Sequence, residues 1–166
     1  MDAFAYSISL ILGNFGVTML VIAIIFILIH GLTGRGLSNS EIIYRWIAFF
    51  AVGLTGLYTF IIHGFFPDVA AVNIGWAPSP FQYEVAMANL GFGLIAVLSF
   101  KASYGFRLAT VIGVTCWLWG DATGHIYQMI TAHNFAPGNA GSWFWLDIIL
   151  PIILIICIIN LKPVRY

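Results

Sequence analysis

Val21-Ile22-Ala23-Ile24-Ile25-Phe26-Ile27-Leu28-Ile29-His30-Gly31-Leu32-Thr33-Gly34-Arg35-Gly36 is an apolar run that stops at a glycine-rich turn carrying a basic residue. Followed back to Tyr6, the run is long enough for a helix to cross a bilayer, which takes roughly 20 apolar residues. The same pattern recurs along the chain. With 166 residues in total, there is room for about five such spans and little outside them.

Composition points the same way. Hydrophobic residues make up 61% of the chain, charged residues 7%, and the mean hydropathy is +1.01, values outside the range of ordinary soluble domains. The net charge is zero and no basic cluster occurs, which argues against nucleic acid as a partner and against a polybasic lipid-binding patch. Met1-Asp2-Ala3-Phe4 lacks the positive start of a cleaved signal, so the first run is expected to be retained as a helix.

Punctuation residues set the expected ends. Spans are expected over about 6–30, 41–66, 80–100, 106–133 and 143–161, giving an all-α, polytopic bundle of five transmembrane helices in a single domain, 1–166. Ser38 and Glu41 form a capping-box pattern, as do Ser79 and Gln82 with Pro80 at the first helical position, and Ser142 is placed to cap the last helix. Pro67 stops the second helix, and Pro137-Gly138 makes the second outer turn. Tyr44, Trp46, Tyr104 and Tyr166 mark one interface, and Tyr6, Trp76, Tyr83, Tyr127, Trp143 and Trp145 the other. Cys116 and Cys157 lie in apolar runs and read as buried packing.

All the basic residues fall at one set of connections: Arg35 and Arg45, Lys101 and Arg107, Lys162 and Arg165. By the positive-inside rule the N-terminus is out and the C-terminus in. A tandem repeat of two hairpins is also visible, because Arg45 precedes His63 by the interval at which Arg107 precedes His125. Each histidine is followed by Ala-Pro, a serine cap and a carboxylate, Glu84 in one hairpin and Asp147 in the other.

A rise of ~1.5 Å per residue puts Asp121 and Asp147 about 21–23 Å from the nearest inner basic residue, and His63, Glu84 and His125 about 25–27 Å. These five therefore share a slab toward the outer side. Asp121, His125 and Gln128 occupy one face of the fourth helix, beside a strip formed by Gly113, Gly120 and Gly124. Glu84, Ala88 and Gly91 share a face of the third, with Asn89 and Gly93 on the next. An ionisable group within a span costs ~2.5–3.5 kcal/mol on insertion scales and calls for a partner.

His63, Glu84, Asp121, His125 and Asp147 would suit a divalent metal, Zn, Mn or Fe, with Asn89 and Gln128 as supporting polar groups. The same groups would suit a proton-coupled carrier of a small solute, and a non-catalytic accessory or scaffold subunit would use them only to lock helices together. Structural roles are also open. Glu84 and Asp147 lie near helix N-termini, His63 and His30 end helices, and His133 lies at the surface. Trp117 and Trp119 fall near mid-membrane, where an indole N–H wants a partner. The metalloprotease, di-iron, nucleotide-binding, serine-hydrolase and dithiol motifs are absent from the sequence, so whether the chain is an enzyme stays open. The lipid bilayer is the expected partner, with a homo-oligomer or larger membrane complex permitted by the small-residue spacings.

Over Gly75-Trp76-Ala77-Pro78-Ser79-Pro80-Phe81-Gln82-Tyr83-Glu84 and Trp119-Gly120-Asp121-Ala122-Thr123-Gly124-His125-Ile126 the chain resembles a family of small, uncharacterised prokaryotic integral-membrane proteins. The resemblance implies a multi-pass protein of a bacterial or archaeal inner membrane, and no activity.

Overall fold

The computed structural model describes residues 10–33 and 36–161. Expectations resting on Met1-Asp2-Ala3-Phe4, Tyr6, Arg35, Lys162, Arg165 and Tyr166 lie outside the described residues. The helices in order are α1 (Phe15–Thr33), α2 (Asn39–Phe65), α3 (Pro67–Ile74), α4 (Phe81–Leu98), α5 (Tyr104–Thr131), α6 (Pro137–Ala140) and α7 (Ser142–Asn160). A 3₁₀ turn, Ser99–Lys101, prolongs α4, and no strand occurs among the described residues.

Local chemistry explains most helix ends. Ser38 Oγ accepts the Glu41 N–H at 3.2 Å and Ser103 Oγ the Phe106 N–H at 3.4 Å, satisfying donors that a first turn leaves orphaned. Ser79 accepts from Phe81. Neither capping box closes, because Glu41 and Gln82 turn to partners on other elements. Ser142 is itself the first residue of α7 and caps nothing. The second long helix ends at Phe65, before Pro67 as expected, and Pro67 and Pro137 each also begin a short helix where an outer loop and a turn are expected, since proline suits the first helical turn. Gly75 then ends α3 with φ +74°, a left-handed cap that favours glycine.

Four helical segments, Phe15–Thr33, Asn39–Phe65, Phe81–Lys101 and Pro137–Asn160, are long and apolar enough to cross a membrane. Helix α5, though 28 residues long, carries more polar residues and is not among them, so the expected count of five reduces to four on length and composition. The outer surface of the bundle is apolar: Leu28 is 62% exposed, Leu32 89% and Ile159 73%. Such a surface is unfavourable in water and natural against hydrocarbon, which makes the molecule compatible with a multi-pass membrane protein. Cys157 is buried as expected, whereas Cys116 faces outward from α5.

Helix α1 packs along α2, and the remaining helices pair as two hairpins, α2 with α4 and α5 with α7, while α4 and α5, although consecutive, touch only lightly. The first hairpin is joined backbone to backbone. A Cβ on Gly93 would lie 3.0 Å from the Gly53 carbonyl and 3.0 Å from the Leu57 nitrogen, and one on Gly56 would lie 3.0 Å from the Asn89 carbonyl. Part of this contact falls where α2 widens to a π-helix over Ile47–Leu54. The glycine strip expected on α5 makes no equivalent contact, since Gly120 has nothing within 4 Å and Gly113 meets only the Phe92 ring closely.

At the opposite end from α3 and α6, Arg107 fastens the hairpins together. It is 5% exposed and grips Glu41 through both terminal nitrogens, at 2.6 and 2.9 Å, while donating to the Ser99 and Phe100 carbonyls at 3.0 and 2.8 Å. Arg45 Nε donates to the same carboxylate at 2.6 Å, and the Arg107 guanidinium stacks on the Tyr44 ring at 4.9 Å. Two arginines that read as loop markers are thus interior groups, and one of them links α2, α4 and α5 through a planar fork that lysine lacks.

Gly93→Leu should overpack the α2–α4 contact and cost ~1–3 kcal/mol, lowering the thermal midpoint of the detergent-solubilised protein. Gly91→Leu, at a position with nothing within 4 Å, should leave the midpoint unchanged. Arg107→Lys should cost ~1.5–3 kcal/mol through lost charged hydrogen bonds, read in the same melt, and an unaltered midpoint would remove the guanidinium from its role as a fastener.

Candidate functional site

Between the two hairpins lies a cavity of about 730 Å³, reaching from Ala51 and Leu150 in mid-bundle to Asn73 and Gly138 near the α3 and α6 loops. Its walls are mostly apolar and aromatic. Of the five proposed metal ligands, four line it: His63 from α2, Asp121 and His125 from α5, and Asp147 from α7. Shared depth and the i, i+4 spacing of Asp121 and His125 therefore translate into a common space.

Glu84 does not join them. It sits in the first turn of α4 on an exposed face, where the helix N-terminus and solvent stabilise a carboxylate. The residue of α4 that does turn inward there is Gln82, two positions earlier, whose Oε1 is hydrogen-bonded to His63 Nδ1. Of the two supporting residues, Asn89 lines the cavity and donates to its own helix at the Val85 carbonyl, 2.9 Å. Gln128 is not on the lining. Among the described residues, no group of three or more His, Cys, Asp and Glu side chains converges as a metal site would require. Tetrahedral or octahedral metals need more ligands than the pair that meets here.

That pair is His125 and Asp147, with Nε2 and Oδ2 3.7 Å apart. The state of the imidazole follows from Asn139, a fully buried residue of α6. Trp76 Nε1–H, which only donates, is 2.9 Å from Asn139 Oδ1. Asn139 Nδ2 donates to the Asn134 carbonyl at 2.9 Å and the His125 carbonyl at 3.3 Å, groups that only accept. The orientation of the amide is thereby fixed from both ends. His125 Nδ1, 2.8 Å from the same Oδ1, must carry its hydrogen, which leaves the lone pair of the neutral ring on Nε2, facing Asp147. Two facing lone pairs repel. At 3.7 Å the two atoms are beyond direct hydrogen-bond length, and one added proton on either group removes the repulsion and leaves the pair neutral overall, as an apolar surrounding demands.

Around this pair the environment is restrictive. The His125 ring lies between Trp76, 5.7 Å away by centroids, and Phe144 at 6.5 Å. Pro151, buried in the middle of α7, has no N–H to give the Asp147 carbonyl one turn before it, so α7 loses a backbone bond at the residue that carries the carboxylate. Asp121 lines the same cavity and makes no hydrogen bond or ion pair among the described residues. Trp117 also lines it, stacked on Phe92 at 5.8 Å, with its indole nitrogen buried and unpartnered. Trp119, by contrast, is 43% exposed on the outside. Of the remaining histidines, His30 accepts a 3.0 Å hydrogen bond from Trp46 at the arginine end, and His133 is exposed as expected.

Gln82 and Asn139 were not singled out as site residues in the sequence. The only signal for Asn139 was its place directly after Ala136-Pro137-Gly138, in the segment where the two-hairpin pattern aligns.

Because Asn139 dictates the tautomer, nitrogen-15 NMR of histidine-labelled protein should find neutral His125 as the Nδ1–H form, the opposite of the form favoured in water. Asn139→Ala should abolish that preference and cost ~1–3 kcal/mol by orphaning the Trp76 donor. An Nε2–H signal in the unaltered protein would refute the assignment.

No curated protein and no solved structure is significantly similar to the chain. A family model described as a family of unknown function, DUF6790, matches residues 13–164. That match takes in every helix from α1 to α7 and the whole cavity lining apart from Leu12, so the chain belongs to this family of unknown function.

Proposed function

We propose that the protein is a multi-pass protein of a prokaryotic inner membrane that takes a small solute into the cavity between its hairpins and exchanges a proton with it through His125 and Asp147. One observation carries this reading. The one histidine–carboxylate pair among the described residues, His125 and Asp147, lines a space of about 730 Å³, within the size range of pockets that enclose small molecules. A scaffold role gives no reason for such a space, because side chains used only to join helices are expected to meet one another and exclude voids. A resident Zn, Mn or Fe would need ligands beyond His125, Asp147 and Asp121, and neither Glu84 nor the His63–Gln82 pair supplies them.

Helix α5 is the fifth span in this reading. Its 28 residues extend ~42 Å, more than the ~30 Å hydrocarbon core, and it turns Ile112, Ile126 and Ile130 outward. The N-terminus is outside and the C-terminus inside, supported by the sequence positions of the basic residues, which fall at one alternate set of connections. The cavity then belongs to the outer half. A two-hairpin duplication gains support from a shared detail: His63 and His125 both engage a side-chain amide oxygen through Nδ1, Gln82 in one hairpin and Asn139 in the other.

The reading is tested by pH-jump infrared difference spectroscopy on protein in lipid nanodiscs. Protonation of Asp147 should give a carboxylic-acid carbonyl band that Asp147→Asn removes and that shifts in His125→Gln. Proteoliposomes of the same proteins under an imposed pH gradient should take up a solute from a broad panel, with uptake abolished in Asp147→Asn. No carboxyl band in any protein and no gradient-driven uptake would defeat the proposal.

A further inference from the structure

We infer that the solute is a lipophilic organic cation, a molecule with one ammonium- or onium-type charge on an aromatic or alkyl body. This rests on reading the cavity as a solute site and adds the chemistry that selects what enters. The lining contains two carboxylates, Asp121 and Asp147, and no Lys or Arg. The interior guanidiniums nearest in kind, Arg45 and Arg107, are at the other end of the bundle and are engaged with Glu41. An anion would therefore meet like charge and find only imidazole or amide donors to offset it. A highly hydroxylated neutral solute would lose most of its hydrogen bonds against walls that are mainly apolar. A cation with an apolar body suffers neither penalty.

Asp121 is the residue that selects. It faces the cavity without a hydrogen bond or ion pair among the described residues, and an ionised carboxylate in such a place calls for a positive partner. Indole and phenyl rings of Trp76, Trp117, Trp143 and Phe92 share the lining, and their faces attract a desolvated cation while their bodies cover its apolar part. The titratable groups facing this space are Asp121 and His125 from α5, Asp147 from α7, and His63 and Tyr58 from α2. The polar side chains that helix α4 contributes are the neutral Gln82 and Asn89. Charge then balances simply. With the cavity empty, a proton on Asp121 keeps the carboxyl group neutral. An entering cation takes its place and that proton leaves to solvent, so one positive charge is exchanged for another. His125 and Asp147 sit one helical turn and one helix away, as the acceptor through which the proton departs and returns.

The experiment uses a matched pair of probes, tetraphenylphosphonium and tetraphenylborate, which share size and shape and differ in sign. Binding to the full chain in phosphatidylcholine nanodiscs is read by tryptophan fluorescence, with empty nanodiscs subtracted. Tetraphenylphosphonium should bind saturably, more weakly as the pH falls, and release close to one proton per bound cation in weakly buffered solution. Asp121→Asn should weaken it about tenfold or more, while Asp121→Glu, which restores the charge, should recover most of the affinity. Tetraphenylborate should show no saturable binding. Equal binding of both probes, or cation binding indifferent to Asp121→Asn in protein that remains monodisperse, overturns the inference. Should Asp121→Asn not fold, saturable binding of tetraphenylborate by the unaltered protein overturns it equally. Cation binding without proton release would leave this inference standing and defeat the proton-linked reading. An infrared carboxyl band at Asp147 with no preference for the cation would do the reverse.

Discussion

The side-chain amide of Asn139 has four hydrogen-bonding positions to satisfy in an apolar bundle, and satisfying them ties together segments far apart in the chain. Its oxygen takes the indole hydrogen of Trp76 and the ring hydrogen of His125. Its nitrogen gives to the carbonyls of Asn134 and His125. A buried amide left half-satisfied costs more than an apolar residue in its place, so such a network is held completely or becomes a liability. Complete satisfaction has two effects at once. It draws α6 and the segment after α3 down onto α5, and it dictates which nitrogen of the imidazole is free.

A second polar knot, Arg107 with Glu41, does equivalent work at the other end, where one guanidinium spans three elements. Between the knots the hairpins need not be tightly packed. Within the first hairpin, Gly53, Gly56 and Gly93 bring two backbones so close that no side chain fits between them. Small residues at that seam also leave Ala51, Gly56 and Gly93 on the cavity wall, where larger side chains would have filled the space. Pinning at the ends and small residues in the middle together account for a void between hairpins that are otherwise well joined, against the dense packing usual in interiors.

Helical periodicity made part of this legible. The long helices follow from apolar runs bounded by Ser38, Pro67 and Pro80, and the co-location of His63, Asp121, His125 and Asp147 follows from a constant rise per residue. Depth alone, however, does not give direction. Glu84 has the right height and the wrong face: Gln82 enters the cavity, and Glu84, 100° of helical rotation per residue further on, points out. Pairings between distant segments were out of reach for the same reason. Arg107 and Glu41 are 66 positions apart, and each had a local explanation, as an inner-loop charge and as a capping-box acid. Asn139 and Gln82 are neutral, so neither raised the question that a buried charge raises by its presence. The glycines misled in a related way, since the strip conspicuous on α5 is largely open while the contact lies on α2 and α4.

The two histidine sites show how a small difference in direction separates a structural role from a chemical one. His63 and His125 each bond an amide oxygen through Nδ1, so each has its second ring nitrogen left for other chemistry. At His125 that nitrogen meets a carboxylate delivered by α7, on a helix that Pro151 keeps from pairing its backbone at the same residue. The carboxylate that the proposed repeat would set against His63, Glu84, is turned to the exterior. Only one imidazole can therefore hold a proton against a carboxylate within the cavity. A symmetric interior would carry two such pairs and no preferred route for the proton. In the proposed reading this asymmetry sets both the cation-selecting Asp121 and the titrating His125–Asp147 pair on the α5–α7 hairpin and leaves the α2–α4 hairpin as wall.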